Sequence, residues 1–529
     1  MSARLLARMA PLRGASALAL ALAAALSLAG CEVGPDYHRP SAPVPAAFKE
    51  AKGWKLAEPQ LAASKGPWWS VYDDPVLDRL EREVDVSNQT LKQAEAAYRE
   101  ATAIAREAGA ELYPTVGVTG SAQRAQSGGT SRSASTGASV QPRVANTFAL
   151  EGAGSWDLDL WGRIRRTIES NVASAEASAA DVAAARLSAQ ASLATDYFDL
   201  RAADQLQRLL DDTVVAYQRT LDIVKNQYEA GTAARSDVAS AETQLETTRA
   251  EAINVGVQRA LYEHAIAVLV GKPAADFGLP ATGLPTAVPV MPAGVPSTLL
   301  ERRPDIAAAE RAMASANALI GVAEAAYYPD ISLSAAFGYS TPAVGQLFNA
   351  ANQLWSLGTS ATETLFDAGE RSAAVDAARA VYDQSVASYR QTVLTSFQQV
   401  EDELATLRIL ERQAKVEAVA VRAAEEAVRL ALNEYRAGTV AYTTVITAQT
   451  AALADEQTAL TIRQNRLLAS VALIEALGGG WEASQLPNRE AIESDNPPAL
   501  VPATAKSEPS QPAPAAPEKP GFFQRLFGG

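Results

Sequence analysis

Tyr228-Glu229-Ala230-Gly231-Thr232 and Tyr435-Arg436-Ala437-Gly438-Thr439 are one short phrase written twice, 207 residues apart. Outward from it, Gly162 and Gly271 recur at the same offset as Gly369 and Gly478. Each copy orders an alternating segment, a glycine, a very long helical pattern, the Ala-Gly-Thr turn, a returning helical pattern and a second glycine. The spacing predicts helices over 163–229 and 233–270, then over 370–436 and 440–477. A helix of about 67 residues reaches on the order of 100 Å at 1.5 Å per residue, which few compact soluble domains contain. The duplicated units take in 67–271 and 299–481, joined by a Pro-rich connector over 272–298.

The stretches before the two long helices have period two rather than 3.6. Ile331, Leu333, Ala335, Phe337 and Tyr339 alternate with small or polar residues, and Phe148, Leu150, Trp156, Leu158 and Leu160 oppose Glu151, Ser155, Asp157 and Asp159. Four strands are expected, near 113–124, 146–160, 329–340 and 352–366, each about as long as a membrane-crossing strand of roughly 10 residues. Gly/Ser-rich residues 125–145 and the shorter 341–351 suit the loops between them. Two readings stay open from these segments alone, a membrane sheet or the edge of a soluble β-sandwich. Glu363 is a misfit, because it falls on the apolar face of the fourth strand.

The long helical patterns carry a heptad seam. Leu210, Val214, Tyr217, Leu221, Val224 and Tyr228 step by 4 and 3 residues, Val421, Ala424, Val428, Ala431 and Tyr435 repeat it, and Val238, Ala241, Leu245, Thr248, Ala252 and Val255 continue it past the turn. Such steps call for left-handed supercoiled packing of an antiparallel hairpin. Gly231 and Gly438 are free to take the positive φ that ends a helix.

Residues 1–30 have a basic start, an apolar Ala/Leu run and small residues at the end, the layout of a secretory signal. Their last residues with the next, Leu28-Ala29-Gly30-Cys31, resemble the lipobox of bacterial lipoproteins, which implies acylation of Cys31. Cys31 is the only cysteine, so it has no partner for an internal disulfide. Residues 31–66 read as an extended tether holding the lipid away from the body. Those three dozen residues are followed by a helical opening, Trp68-Trp69-Ser70-Val71-Tyr72-Asp73-Asp74-Pro75, and the chain closes on a Pro/Ala-rich tail over 482–529 that reads as disordered. Its last apolar cluster, Phe522 to Phe527, reads either as a docking peptide or as an unstructured end.

Composition removes several function classes. The first 30 residues hold three arginines and no acid, so their removal deepens the net charge from −14 to −17, which argues against nucleic acid as a partner. His38 and His264 are the only histidines, one in the tether and one in a helical stretch, so neither a histidine-dependent triad nor a multi-histidine metal site is expected. No phosphate loop is present, so neither an enzyme nor a cofactor is expected and any energy must come from a partner.

Several further motifs carry a resemblance: Trp68-Trp69 with Asp74-Pro75, Arg302-Arg303-Pro304-Asp305-Ile306, Tyr328-Pro329, Trp355-Ser356-Leu357-Gly358, Leu365-Phe366-Asp367-Ala368-Gly369 and Leu477-Gly478-Gly479-Gly480-Trp481. From Cys31 to Trp481 the chain resembles the TolC-like outer-membrane efflux proteins, in particular the lipoprotein branch that serves resistance-nodulation-division pumps. The resemblance implies a mixed α/β membrane protein: a homotrimer whose subunits each give four strands to one twelve-stranded barrel, continuous with a long periplasmic helical barrel. It implies outer-membrane lipids, a periplasmic adaptor at the tips Ala230, Gly231, Thr232, Ala437, Gly438 and Thr439, and an inner-membrane pump as partners. Carried over residue by residue, Asp237 and Tyr435 match a gate acid and a gate tyrosine. Val440 stands where TolC has an arginine, Thr444 and Thr447 stand where many relatives have acids, and Arg235 is a candidate for the missing cation. Asp237 reads equally as an acid favoured by a helix N-terminus. The rivals are a protein-secretion duct of the same architecture and a lipoprotein scaffold without a channel.

Overall fold

The computed structural model describes residues 32–51, 67–127, 143–289, 299–494 and 500. The expected signal (1–30), Cys31 and the Phe522–Phe527 cluster lie outside them. The described chain runs α1 (Pro75–Ser87), α2 (Gln89–Ala110), β1 (Thr115–Ser127), β2 (Arg143–Leu158), α3 (Arg163–Glu229), α4 (Arg235–Leu269), α5 (Pro304–Ala325), β3 (Asp330–Thr341), β4 (Gln353–Thr362), α6 (Glu370–Arg436), α7 (Tyr442–Ala476) and a last turn, α8 (Arg489–Glu493).

Helices α3 and α6 have 67 residues each, and α4 and α7 have 35 each, at the 207-residue offset of the repeated glycines. Each long helix is flanked by two shorter ones set end to end. Next to the strands the packing order is α2-α3-α5-α6, and beyond it α4-α3-α7-α6. At the joints, Asn88 donates its side-chain amide to the Leu269 carbonyl and Arg303 donates to the Ala476 carbonyl, both at 2.9 Å. The repeated Gly271 and Gly478 belong to these joints. Both have positive φ, and a Cβ at either would lie 2.5 Å from the Ser87 carbonyl oxygen or 2.0 Å from that of Arg302.

A belt surrounds the joints. Asp74 caps α1 by accepting from the Val76 and Leu77 N–H groups and also takes the Tyr197 hydroxyl at 2.6 Å. Trp68 donates to Gln190 of α3, which donates in turn to Asp85. The connector is clamped through Asp204, which accepts from Arg201, Arg259 and the Thr282 N–H.

Several expectations need correction. The returning helices begin at Arg235 and Tyr442 rather than at 233 and 440, because the turn after each Ala-Gly-Thr takes two more residues. The fourth strand stops at Thr362, so Glu363 lies in the link to α6 and the misfit disappears. Residues 32–50, the described part of the expected tether, are extended but do not stand clear of the body. The segment lies along the body: Asp36 pairs with Arg166, Tyr37 donates to Glu310, Arg39 donates to the Tyr389 hydroxyl, Phe48 packs on Phe397, and Glu50 pairs with Arg408. Prolines and alanines suggest slack, yet Asp36, Tyr37, Arg39, Phe48 and Glu50 between them all find partners on the body. Part of the tail is folded too. Asn488 caps α8, and Ile492 is buried among Ala105, Ile164, Ile168 and Val172. The Pro/Ala composition of the longer stretch masks this short helical phrase.

One buried group in the belt is costly. Glu81 of α1 is fully buried, neither of its carboxylate oxygens has a hydrogen-bond partner, and burial followed by the nearby Asp85 charge pushes its carboxyl up to about 10. A carboxyl raised above its unfolded value stabilises the fold fully only below the ordinary range, and that stability drains away as pH rises toward 10. Glu81→Gln removes this dependence. Thermal melts at pH 8 are expected to rise by about 2–4 °C relative to the parent protein, with a smaller difference at pH 4.5.

Candidate functional site

Two regions combine exposure with a specific arrangement, the sheet and the far tips of the helical hairpins. The sheet is antiparallel in the order β1-β2-β3-β4. Its register aligns Val116, Gly154, Ala335 and Leu357 across one face, and Val118, Gly152, Phe337 and Trp355 two residues further along. The other face carries Thr119, Glu151, Gly338, Ser332, Ser334, Ser356 and Ser360. No other described residue covers the apolar face: Val116, Val118, Trp355 and Leu357 are 73–80% exposed. An apolar face of this extent opposite a small, polar one is what lipid on one side and water on the other require. Among the described residues neither β1 nor β4 has a partner on its outer side.

The lower rim of this face is aromatic. Trp156 donates to the Leu112 carbonyl, Trp161 donates to the Pro329 carbonyl, and Trp161 stacks on Tyr328 with centroids 4.8 Å apart. Amphipathic rings at such a rim suit a membrane interface. Residue 32 meets this rim, since the Val33 N–H donates to the Trp161 carbonyl and Glu32 pairs with Arg166 at 3.4 Å.

At the other end, the two Ala-Gly-Thr turns close in the same way. The Thr232 N–H and hydroxyl both donate to the Gln227 carbonyl, and those of Thr439 both donate to the Glu434 carbonyl, at 2.9–3.0 Å. Gly231 and Gly438 have φ of +75° and +74°. The threonine thus satisfies an end carbonyl twice, and the glycine supplies the left-handed step that brings it round. Ala230, Gly231, Thr232, Ala437, Gly438 and Thr439 are all exposed.

Just behind the turns, the two hairpins share a core of Tyr217, Leu221, Val224, Ala241, Leu245, Ala431, Tyr435, Tyr442 and Val445. Tyr435 is buried with its ring 5.3 Å from that of Tyr442, and its hydroxyl has no hydrogen-bond partner. Burial and then the negative charge of Asp237 raise the Tyr435 phenol. Tyr442 is raised well above the ordinary phenol range by burial, with smaller contributions from Tyr435, Tyr217 and Asp237. Asp237 therefore lies within electrostatic reach of both rings. Its carboxylate also accepts from the Ala234 N–H at 3.4 Å, a long contact at the start of α4.

The structure does not bring the remaining gate candidates into this cluster. Arg235 is exposed and makes no ion pair among the described residues, and Thr444 and Thr447 are exposed along α7, the Thr447 hydroxyl donating to the Thr443 carbonyl. Val440 packs at the edge of the shared core. Tyr442 was missed in the sequence because it follows the turn rather than falling on the heptad seam. No cluster of metal-ligating side chains occurs among the described residues.

The family model described as outer membrane efflux protein matches residues 82–272 and 295–479, and the chain belongs to this family. The antibiotic efflux pump outer membrane protein ArpC and the toluene efflux pump outer membrane protein TtgC, both of Pseudomonas putida, are each 32% identical over 487 residues, covering 90% of this chain and 99% of theirs. The solved outer-membrane channel OprN superposes with a TM-score of 0.79 at 29% identity, over 85% of this chain and 100% of that one. The protein is thus an outer-membrane efflux protein, and its sheet is the membrane-spanning part.

Adjacent residues of β4 test the two faces. Leu357→Arg, near the middle of the apolar face, should destabilise insertion by about 2–4 kcal/mol, whereas Ser356→Arg on the opposite face should insert normally. The heat-modifiable folded band on gels after membrane extraction reads the difference.

Proposed function

We propose that this chain is the exit duct of a tripartite efflux system, working as a homotrimer that a periplasmic adaptor joins to an inner-membrane proton-driven pump. The observation that carries this reading is the match between the edges of the sheet and the edges of the helical layer. Both unpaired strands, β1 and β4, lie at the same flanks as the outermost helices, α4 and α6. Those helices expose apolar side chains that no other described residue covers, Ile253, Val257 and Leu261 on α4 and Ile409, Val416 and Val419 on α6. Joining β4 and α6 of one copy to β1 and α4 of the next satisfies strands and helices together. Such a contact is head-to-tail and closes into a ring. Three copies give a twelve-stranded barrel without edges.

Lipidation of Cys31 fits the same frame. Glu32 already stands at the aromatic rim, so acyl chains on the preceding residue would enter the leaflet directly. The two exposed tips are the adaptor contact in this reading. Selection of cargo falls to the pump, which accords with relatives whose names give antibiotic and toluene efflux.

The tips give one test. Gly231→Pro or Gly438→Pro imposes φ near −65° where the turn needs about +75° and should abolish efflux while trimers still form. Unchanged drug susceptibility in a strain carrying both substitutions sinks the adaptor assignment.

The gate gives another. Three copies of Asp237 near the narrow end would draw cations into the resting aperture, and Thr444 and Thr447 add no charge there. Asp237→Asn keeps an acceptor for the Ala234 N–H but removes the charge, so it and Asp237→Ala should both lower single-channel cation selectivity, while Thr447→Asp should raise it. Wild-type selectivity in Asp237→Asn channels would leave Asp237 as a helix-capping acid.

A further inference from the structure

A crevice of about 310 Å³ opens between the last turn of α5, the first turns of α6 and Val33, lined by Glu324, Tyr327, Tyr328, Asp376 and Arg379 among others. Its height is set by its neighbours. Tyr328 stacks on Trp161 at the rim of the sheet, β3 begins two residues later at Asp330, and Leu365 and Phe366 of the link into α6 are almost fully exposed. The crevice therefore lies on the headgroup side of the apolar band.

Its chemistry is that of a cation receptor. The charged residues in its wall are two carboxylates, Glu324 and Asp376, against one guanidinium, Arg379. Arg379 pairs with Glu324 at 2.8 Å, which leaves the exposed Asp376 with no ion-pair partner among the described residues. Two tyrosines complete the wall. Each is already held in place, Tyr328 by Trp161 and Tyr327 by the Arg371 guanidinium 5.3 Å from its ring centroid. Neither phenol hydroxyl makes a hydrogen bond within the described chain. Net negative charge beside pinned aromatic rings favours an ammonium and repels an anion, by electrostatic attraction and by the ring quadrupole.

We propose that this crevice binds the headgroup of a membrane aminophospholipid, with its ammonium at Asp376 and the tyrosines and its acyl chains along the neighbouring sheet. The phosphate of the same headgroup lies toward Arg379, which keeps more than half of its side chain exposed beside Glu324. A lipid with an anionic glycerol headgroup offers Asp376 hydroxyl donors but no cation, and its uncompensated phosphate charge meets the repulsion of the wall. The site thus adds a second, non-covalent grip on the leaflet beside the segment that follows Cys31.

The test uses the full-length protein extracted in mild detergent and native mass spectrometry with added phosphatidylethanolamine or phosphatidylglycerol. At equal concentrations phosphatidylethanolamine adducts are expected to outnumber phosphatidylglycerol adducts by about 5-fold, which corresponds to about 1 kcal/mol. Glu324→Gln combined with Asp376→Asn should abolish that preference, and Asp383→Asn, an exposed acid further along α6, should leave it intact. Conductance in bilayers should be the same for all three proteins, so a failure of this proposal is distinct from a failure of the duct reading. Equal retention of the two lipids, or a preference that survives the double substitution, overturns the assignment. So does full competition by soluble phosphoethanolamine, which would make the ligand a free headgroup. A preference seen only in Cys31→Ser protein would mean that the chain's own acyl group fills the crevice, and this too overturns it.

Discussion

A lipid bilayer offers no hydrogen-bond partner to a peptide group, and the architecture follows from that constraint. Four strands in the order β1-β2-β3-β4 pair internally but leave two open edges. Water would solvate those edges, whereas hydrocarbon cannot. The sheet is thus incomplete as a membrane element until another sheet joins it, and the alternation along each strand fixes which face turns to lipid. A shift of one residue would put Glu151 and the serines into hydrocarbon and Trp355 and Leu357 into the lumen. The register between strands is consequently as strongly specified as any core.

The helical part inherits its geometry from the strands. Two hairpin strands in each repeat feed one helix of 67 residues, and the flanking shorter helices fill the layer around it. The same repeat twice in one chain halves the number of independent surfaces that must fit. It cannot be perfect, because α2 and α5, both of 22 residues, are 215 residues apart rather than 207. The difference of eight falls between the short helix and the long one, where the first strand pair has the longer loop and the second the shorter. The joints are unaffected by it, with Gly271 against Ser87 in one repeat and Gly478 against Arg302 in the other.

The sequence exposed the parts governed by local rules. The 207-residue offset located both long helices and both turns because Ala-Gly-Thr and its glycines answer to backbone geometry alone. Strand alternation answered to the two solvents on the two faces. Residues 32–50 were misread as a spacer, since their order comes from distant partners such as Glu310, Tyr389 and Arg408, which no local pattern announces. Ile492 was lost in a Pro/Ala-rich tail for the same reason: what holds it is Ile164 and Ile168, more than 300 residues away. At the tips, the heptad seam located Tyr435 but could not distinguish it from Tyr228, its counterpart in the first repeat.

That last distinction has a physical consequence. Tyr435 is 6% exposed and Tyr228 is 41% exposed, although both precede the same turn. The difference arises because Tyr435 faces the seam between the two hairpins of one chain, filled by Tyr217, Tyr442, Leu221 and Val445, a cluster that does not include Tyr228. Burying an aromatic side chain contributes about 1.5–3 kcal/mol, so separating the hairpins of one chain at this shared core costs several such terms. Across the flank, α4 and α6 offer aliphatic side chains spaced along their length rather than a compact aromatic cluster at the tip. The hairpins of one chain are held together at the tips by this shared aromatic core, and Asp237 lies beside it.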